Sequence, residues 1–132
     1  MSKTGPHILP ITTSAFVVAI PVASTATVYT ISFSMFLMEN FSLHLIGTTG
    51  TTIEIAVWLE EGSVRPTTEG SADTTNMAVP EGAPAIITIT DEVLHVEKFS
   101  PVVGKIGRLK FIGGSTNAAD ATLTAKLSFM EN

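Results

Sequence analysis

"YTISFSMFLMENFSLHLIG", residues 29–47, is among the most apolar stretches of the chain. A membrane-spanning helix needs about 20 predominantly apolar residues. Here Ser32, Ser34, Glu39, Asn40, Ser42 and His44 interrupt the run, and they do so at regular intervals. Tyr29, Ile31, Phe33, Met35 and Leu37 share the odd phase, with Thr30, Ser32 and Ser34 between them. After Met38-Glu39-Asn40 the alternation resumes with Phe41, Leu43 and Leu45, separated by Ser42 and His44. A period of two belongs to β-strands with one buried face. The stretch reads as two strands around a tight turn at Glu39-Asn40. Phe36 and Met38 are apolar on the outward phase, so something else is expected to cover that end.

The same period recurs along the chain. In "TTIEIAVWLEE" (51–61), Ile53, Ile55, Val57 and Leu59 alternate with Glu54, Ala56, Trp58 and Glu60. The preceding "IGTTGTTI" carries Gly47 and Gly50, which is turn chemistry for a hairpin. "AIITIT" (85–90) and "VLHVEKF" (93–99) read as short strands around Asp91-Glu92. Pro101 and Gly104 then punctuate the chain before "KIGRLKFI" (105–112). "TLTAKLSFM" (122–130) is the cleanest strand, with Leu123, Ala125, Leu127 and Phe129 facing in. Residues 62–84 are polar and rich in Gly and Pro, a long surface loop of the kind that is usually functional or mobile. About eight strands and no helical period give an all-β fold, an antiparallel sandwich of jelly-roll type. The expected core is Ile31, Phe33, Met35, Leu43, Ile55, Val57, Leu123, Leu127 and Phe129.

"AFVVAIPVASTA" (15–26) has the outline of a signal-peptide core. Pro10 and Pro21 bracket it, Thr12, Thr13 and Ser14 dilute it, and Lys3 is the only basic residue before it. An extended N-terminal arm at 1–14 leading into a first strand at Ala15–Ile20 is the better reading, with a single sandwich domain over 15–132.

Composition narrows the function. The chain has 132 residues, of which 14% are charged, well below the roughly 25% usual for soluble domains. Net charge is −5 with seven Lys and Arg, which gives no basic footprint for nucleic acid. No cysteine is present, so disulfides and thiol chemistry are excluded. His44 and His95 fall on the polar phases of strands and His7 lies in the arm, and the three lack the close spacing of zinc ligands. Glu60 and Glu61 point to opposite faces of a strand and cannot cooperate as a carboxylate pair, so a solvated strand end is expected. Asp73, Asp91 and Glu92 match no calcium loop, and "GGSTN" (113–117) lacks the Lys and helix of a phosphate loop. No Ser sits in a nucleophile elbow. Neither catalysis, cofactor nor metal is expected.

Trp58, the single tryptophan, falls on the outward phase with no companion aromatic there. It suits a subunit interface better than a sugar-stacking platform, although a carbohydrate-binding module remains the alternative. A mean hydropathy of +0.40 without a spanning segment implies apolar surface that association would cover.

From residue 28 to 130 the order of strands, with "IEIAVWLEEGS" and "HVEKFSPVVGKIGRLKFIGGSTNAADATLTAKLSF", resembles small β-sandwich virion proteins of tailed bacteriophages, the auxiliary or decoration proteins of heads and tails. The resemblance implies a non-enzymatic structural role located in the virion. It implies homo-oligomerisation, as a trimer or within a larger shell, and binding to a major capsid or tail protein. Contacts are expected at Phe36, Met38 and Trp58, and at Ile8 and Ile11 in the arm.

Overall fold

In β5 (Phe41–Gly47) every odd residue is buried and every even one is half-buried. The alternation holds in the first half of β6 (Ile53–Gly62) and along the described side chains of β10 (Thr122–Phe129). The computed structural model describes residues 7–9, 17–35, 41–47, 52–79, 84–90, 93–99 and 105–129, without the side chains of 7–9, 17–19 and 129. No described helix is long and apolar enough to cross a membrane.

The remaining strands are β1 (His7–Leu9), β2 (Val17–Pro21), β3 (Thr27–Tyr29), β4 (Phe33–Ser34), β7 (Ala85–Ile89), β8 (His95–Phe99) and β9 (Ile106–Gly113). They form two antiparallel sheets. In the first, β1 and β2 both pair with β10, which is followed by β5 and β8. In the second, β3 and β4 both pair with β9, followed by β6 and β7. β1 sets Leu9 opposite Leu127, and β2 sets Ile20 opposite Leu123, so the two share one interrupted row. β3 and β4 share another along β9. The ten described strands thus fill the equivalent of eight rows.

The connectivity corrects two expected hairpins, around Glu39-Asn40 and around Gly47 and Gly50, and sets β7 and β8 apart as well. β4 and β5 lie in different sheets, as do β5 and β6, and β7 and β8. None of these is a hairpin. The chain crosses the sandwich each time, and among the described strands only β6 and β7 are consecutive and pair side by side. This repeated crossing is the jelly-roll path. Glu39-Asn40, Gly50 and Asp91-Glu92 lie outside the described residues.

The inner faces meet in one core that includes Phe33, Met35, Phe41, Leu43, Ile55, Val57, Phe111, Leu123 and Leu127. Phe33 of the second sheet meets Phe41 of the first edge to face at 5.4 Å, and Phe41 stacks on Phe99 at 5.5 Å. The first pair fixes the relative position of the sheets, and the second joins neighbouring strands of one sheet.

Ile31 departs from the expected core: it is half-buried, whereas Thr30 and Ser32 are buried. Thr30 donates its backbone N–H to the Leu109 carbonyl at 2.9 Å, and its hydroxyl accepts the Leu109 N–H at 2.9 Å. The side chain thereby takes over a ladder bond, a competition open to short hydroxyl residues. The strand stops at Tyr29 and the phase slips before Phe33. Val28 packs against the core, and Tyr29 lies in the outward row of Lys110. Phe129 is opposite Phe41, and its side chain is not described.

The described part of the arm, His7–Leu9, is a strand in the first sheet and not a segment apart from the fold. At the other end of the sandwich, the buried Asn117 binds three backbone groups. Its Nδ2 donates to the carbonyls of Val22 and Glu54 at 2.7 and 2.8 Å, and its Oδ1 accepts from Glu54 N–H at 3.1 Å. "GGSTN" therefore serves as a clasp between β6 and the exit of β2. A Cβ at Gly113 would collide with the carbonyl oxygens of Val22 and Ala23, so only glycine allows this approach.

Candidate functional site

The outward face of the second sheet carries the chain's one Trp and one Tyr. In register, Trp58 of β6 is opposite Lys110 of β9, which is opposite Tyr29 of β3. The phase slip at Thr30 is what brings Tyr29 here. Lys110 Nζ stands 5.2 Å from the Trp58 ring centroid and 6.0 Å from that of Tyr29. Two residues along, Glu60 is opposite Arg108.

Arg108 is completely buried, an unusual state for a guanidinium. Its Nε donates to Glu60 Oε1 at 2.8 Å, its Nη1 donates to the Ser71 carbonyl at 2.7 Å, and its Cζ lies 4.1 Å over the Tyr29 ring. Nη2 has no hydrogen-bond partner. Glu60 has a side chain 12% exposed and Glu61 is 4% exposed, so the expected solvated strand end is covered. The two carboxylates do point to opposite faces.

The cover is the long loop. Its described part, residues 63–79, is held by side chains that the sequence presents as ordinary polar filler. Ser32 donates its N–H to Glu69 Oε1 at 2.8 Å and its hydroxyl to the other oxygen. Arg65 Nη1 donates to the Ser32 carbonyl at 2.7 Å and hydroxyl at 2.9 Å. Asp73 accepts the N–H groups of Thr67, Thr75 and Asn76, and the Asn76 side-chain amide. Ala78 bridges back to the Glu61 backbone. A cleft of about 310 Å³ remains between Glu61–Val64 and Thr74–Ala78.

Asp73 also predicts how the cover responds to acid. The backbone N–H of Thr67, then those of Asn76 and the Asn76 amide, hold its carboxyl down from 3.8 to about 2. A depressed carboxylate stabilises the folded loop above its unfolded value, and the contribution is lost as pH falls through the folded one. The loop is therefore intact above 3.8 and loosens toward 2. A carboxyl carbon titration by NMR should show an Asp73 midpoint near 2, with Thr67, Thr75 and Asn76 amides losing protection together. A midpoint at 3.8 means those bonds are not formed.

The histidines occupy separate places. His44 faces Ser128 Oγ at 3.2 Å. His95 meets Glu97 at 3.1 Å. In register His95 is opposite the buried Leu45, so it takes the inner phase at a sheet edge and not the polar phase. His7 contributes only backbone pairing with Phe129 to what is described. Among the described residues no three His, Asp or Glu side chains gather as metal ligands.

Of the expected contact residues, Trp58 is half-buried under Lys110. The Ile8 backbone is opposite Ser128, and its side chain is not described. Phe36, Met38 and Ile11 lie outside the described residues. Exposed apolar surface gathers elsewhere. Ile86, Val93, Leu94 and Val96 are 65, 58, 57 and 47% exposed. They follow one another along β7, the crossing and β8, the two strands that end their sheets. Beside them Leu94, Ile46, His44, Thr124 and Lys126 line a hollow of about 250 Å³ on the outer face of the first sheet. The apolar residues "VLHV" could have flagged this edge, had Val93 and Leu94 not passed for strand interior.

No protein-family model matches the chain, and no curated protein matches it. Among solved structures, a carbohydrate-binding module, CBM36 in complex with calcium and xylotriose, is similar at 11% identity and a TM-score of 0.45. The match covers 99% of this chain and 93% of that one.

Proposed function

We propose that this chain is a non-enzymatic structural subunit, a bacteriophage virion protein that decorates the head or associates with the tail. It works by associating with copies of itself and with a major capsid or tail protein. The observation that carries association is that Ile86, Val93, Leu94 and Val96, on the two strands that end their sheets and just before the second of them, are all exposed. Leu94 and Val96, the latter opposite His44 in register, put apolar surface beside the hollow on the outer face of the first sheet, and such surface on a small protein marks a contact site. The virion itself enters through the resemblance in strand order and through "HVEKFSP" and "KIGRLKF". Phe36, Met38, Trp58, Ile8 and Ile11 are the further contacts of this reading.

The second reading, a carbohydrate-binding module, draws on Trp58 and Tyr29 sharing one sheet face. Sugar rings stack on open aromatic faces. Here Arg108 lies over Tyr29 and Lys110 over Trp58, so each ring already carries a cation. Light scattering at tens of micromolar and Trp58 fluorescence titrated with oligosaccharides separate the two. The structural reading expects an oligomer and an unchanged emission. A monomer whose Trp58 emission shifts with a sugar would replace it by the second.

A further inference from the structure

The four edge rows of the two sheets are not equally defended. Edge strands expose unpaired N–H and C=O groups, and proteins blunt them with charges, proline or interruptions. The row of β1 and β2 is in two pieces, and β2 ends on Pro21. The row of β3 and β4 is broken at 30–32. β8 carries His95, Glu97 and Lys98 among its five residues, with His95 and Glu97 on the inward phase. β7, "AIITI", carries no charge, proline or glycine and runs unbroken for five residues. No described strand lies on its far side.

We infer that β7 is the strand through which a second copy of this chain adds, antiparallel, to continue the second sheet across a two-fold axis at Ile87. This rests on the self-association reading above and names its edge and register. The register follows from the residues. A two-fold at Ile87 sets Ile87 opposite itself, Ile86 opposite Thr88 and Ala85 opposite Ile89. Directly opposed residues share a face, so inner side chains meet inner ones and the exposed Ile86 is covered beside Thr88. The small Ala85 is set against the larger Ile89, and the other residues, Ile and Thr, are β-branched and fit the pleat. The chain's net charge of −5 opposes the approach of two copies, so contact is cheapest where charge is absent. Residues 84–90 hold none. An isologous pairing of this kind is self-complementary and closes at two chains. Five paired residues bury less than the roughly 1,200 Å² of a stable interface, so the free dimer is weak and belongs to the micromolar range.

The absence of cysteine permits a direct test. Full-length I86C and T88C chains are prepared separately, mixed at tens of micromolar and oxidised gently. Opposed side chains have Cβ atoms about 4.5–5.5 Å apart, close enough for a disulfide after small adjustment. The mixture should give a cross-linked dimer that exceeds either single sample by about tenfold, since 86–86 and 88–88 are diagonal at about 7–8 Å. Ile86→Lys, which removes apolar contact and brings two ammonium groups onto that diagonal, should convert the wild-type dimer to monomer while circular dichroism stays unchanged. An oligomer that persists in I86K, or cross-links that do not favour 86–88, overturns the β7 pairing and leaves self-association standing. A wild-type chain that is monomeric by sedimentation at the same concentration overturns both.

Discussion

Glu60→Ala should lower the free energy of unfolding by about 3 kcal/mol, the lower end of the range for breaking a buried ion pair. The reason lies with the partner. Arg108 has no contact with water, and its guanidinium keeps its charge at any pH a protein survives. Without Glu60 it retains the Ser71 carbonyl and the Tyr29 face but no counter-charge, and Nη2 is already without a partner. The lower end applies because Glu60 keeps a little water contact, so part of the loss is recovered by solvent entering its place. Urea unfolding measures the change. The companion variant Glu60→Ala/Arg108→Met tells the cause. Replacing both partners by apolar groups is often neutral or stabilising, so the double variant should recover most of the loss. If the double variant is as unstable as the single one, the effect comes from packing of the loop and not from an orphaned charge. A single-variant loss under about 1 kcal/mol would mean that Arg108 finds water in solution.

The same pair shows where reading residues in order reaches its limit. Glu60 and Glu61 were legible as facing opposite ways, because a strand allows nothing else. Their burial was not, because it depends on a loop whose anchors lie far off in the chain. Ser32 holds Glu69 and Arg65, and nothing local in "TISFS" distinguishes that serine from one facing water. The loop's own cap was closer to view. Asp73 followed by Thr-Thr-Asn is an ordinary side-chain cap for a turn.

Alternation found β5, β6 and β10 nearly to the residue, and with them most of the core. It did not say which strands pair. A hairpin and a crossing both leave the apolar phase pointing to the same interior, so "IGTTGTTI" reads equally as either. What separates them is which strand completes each ladder, and those partners are distant: β5 lies between β10 and β8, and β6 between β9 and β7. Tyr29 failed for a different reason. The odd phase from Tyr29 to Met35 looks continuous, but the Thr30 hydroxyl replaces a ladder bond and shifts the phase inside it. Hence the second aromatic on the face of Trp58 was out of sight, and with it the cation-covered row that weighs against sugar stacking. The edge at 86–96 was hidden by its own composition, since exposed and buried apolar residues look alike until the sheet has an end.

Leu127→Ala should destabilise by about 2–5 kcal/mol, and by the upper half of that range. The range reflects how far a site can collapse after losing its side chain. Leu127 is completely buried on β10, which has strands on both sides, with Leu43 opposite on β5 and Leu9 opposite on β1. Backbone ladders on two flanks prevent the strand from moving into the cavity, and the facing sheet is held off by the Phe33–Phe41 contact. The lining therefore keeps its place and the void stays open. Ile31→Ala provides the comparison. Both side chains sit on odd positions of apolar stretches, but Ile31 is half-buried beyond the phase slip. Its loss should be about 1 kcal/mol, in keeping with the smaller apolar area it removes from water. Denaturant unfolding of the two variants at unchanged slope decides the matter. Equal losses would place the phase slip at Thr30 in error, and a Leu127→Ala change below about half a kcal/mol would do the same for the register of β10.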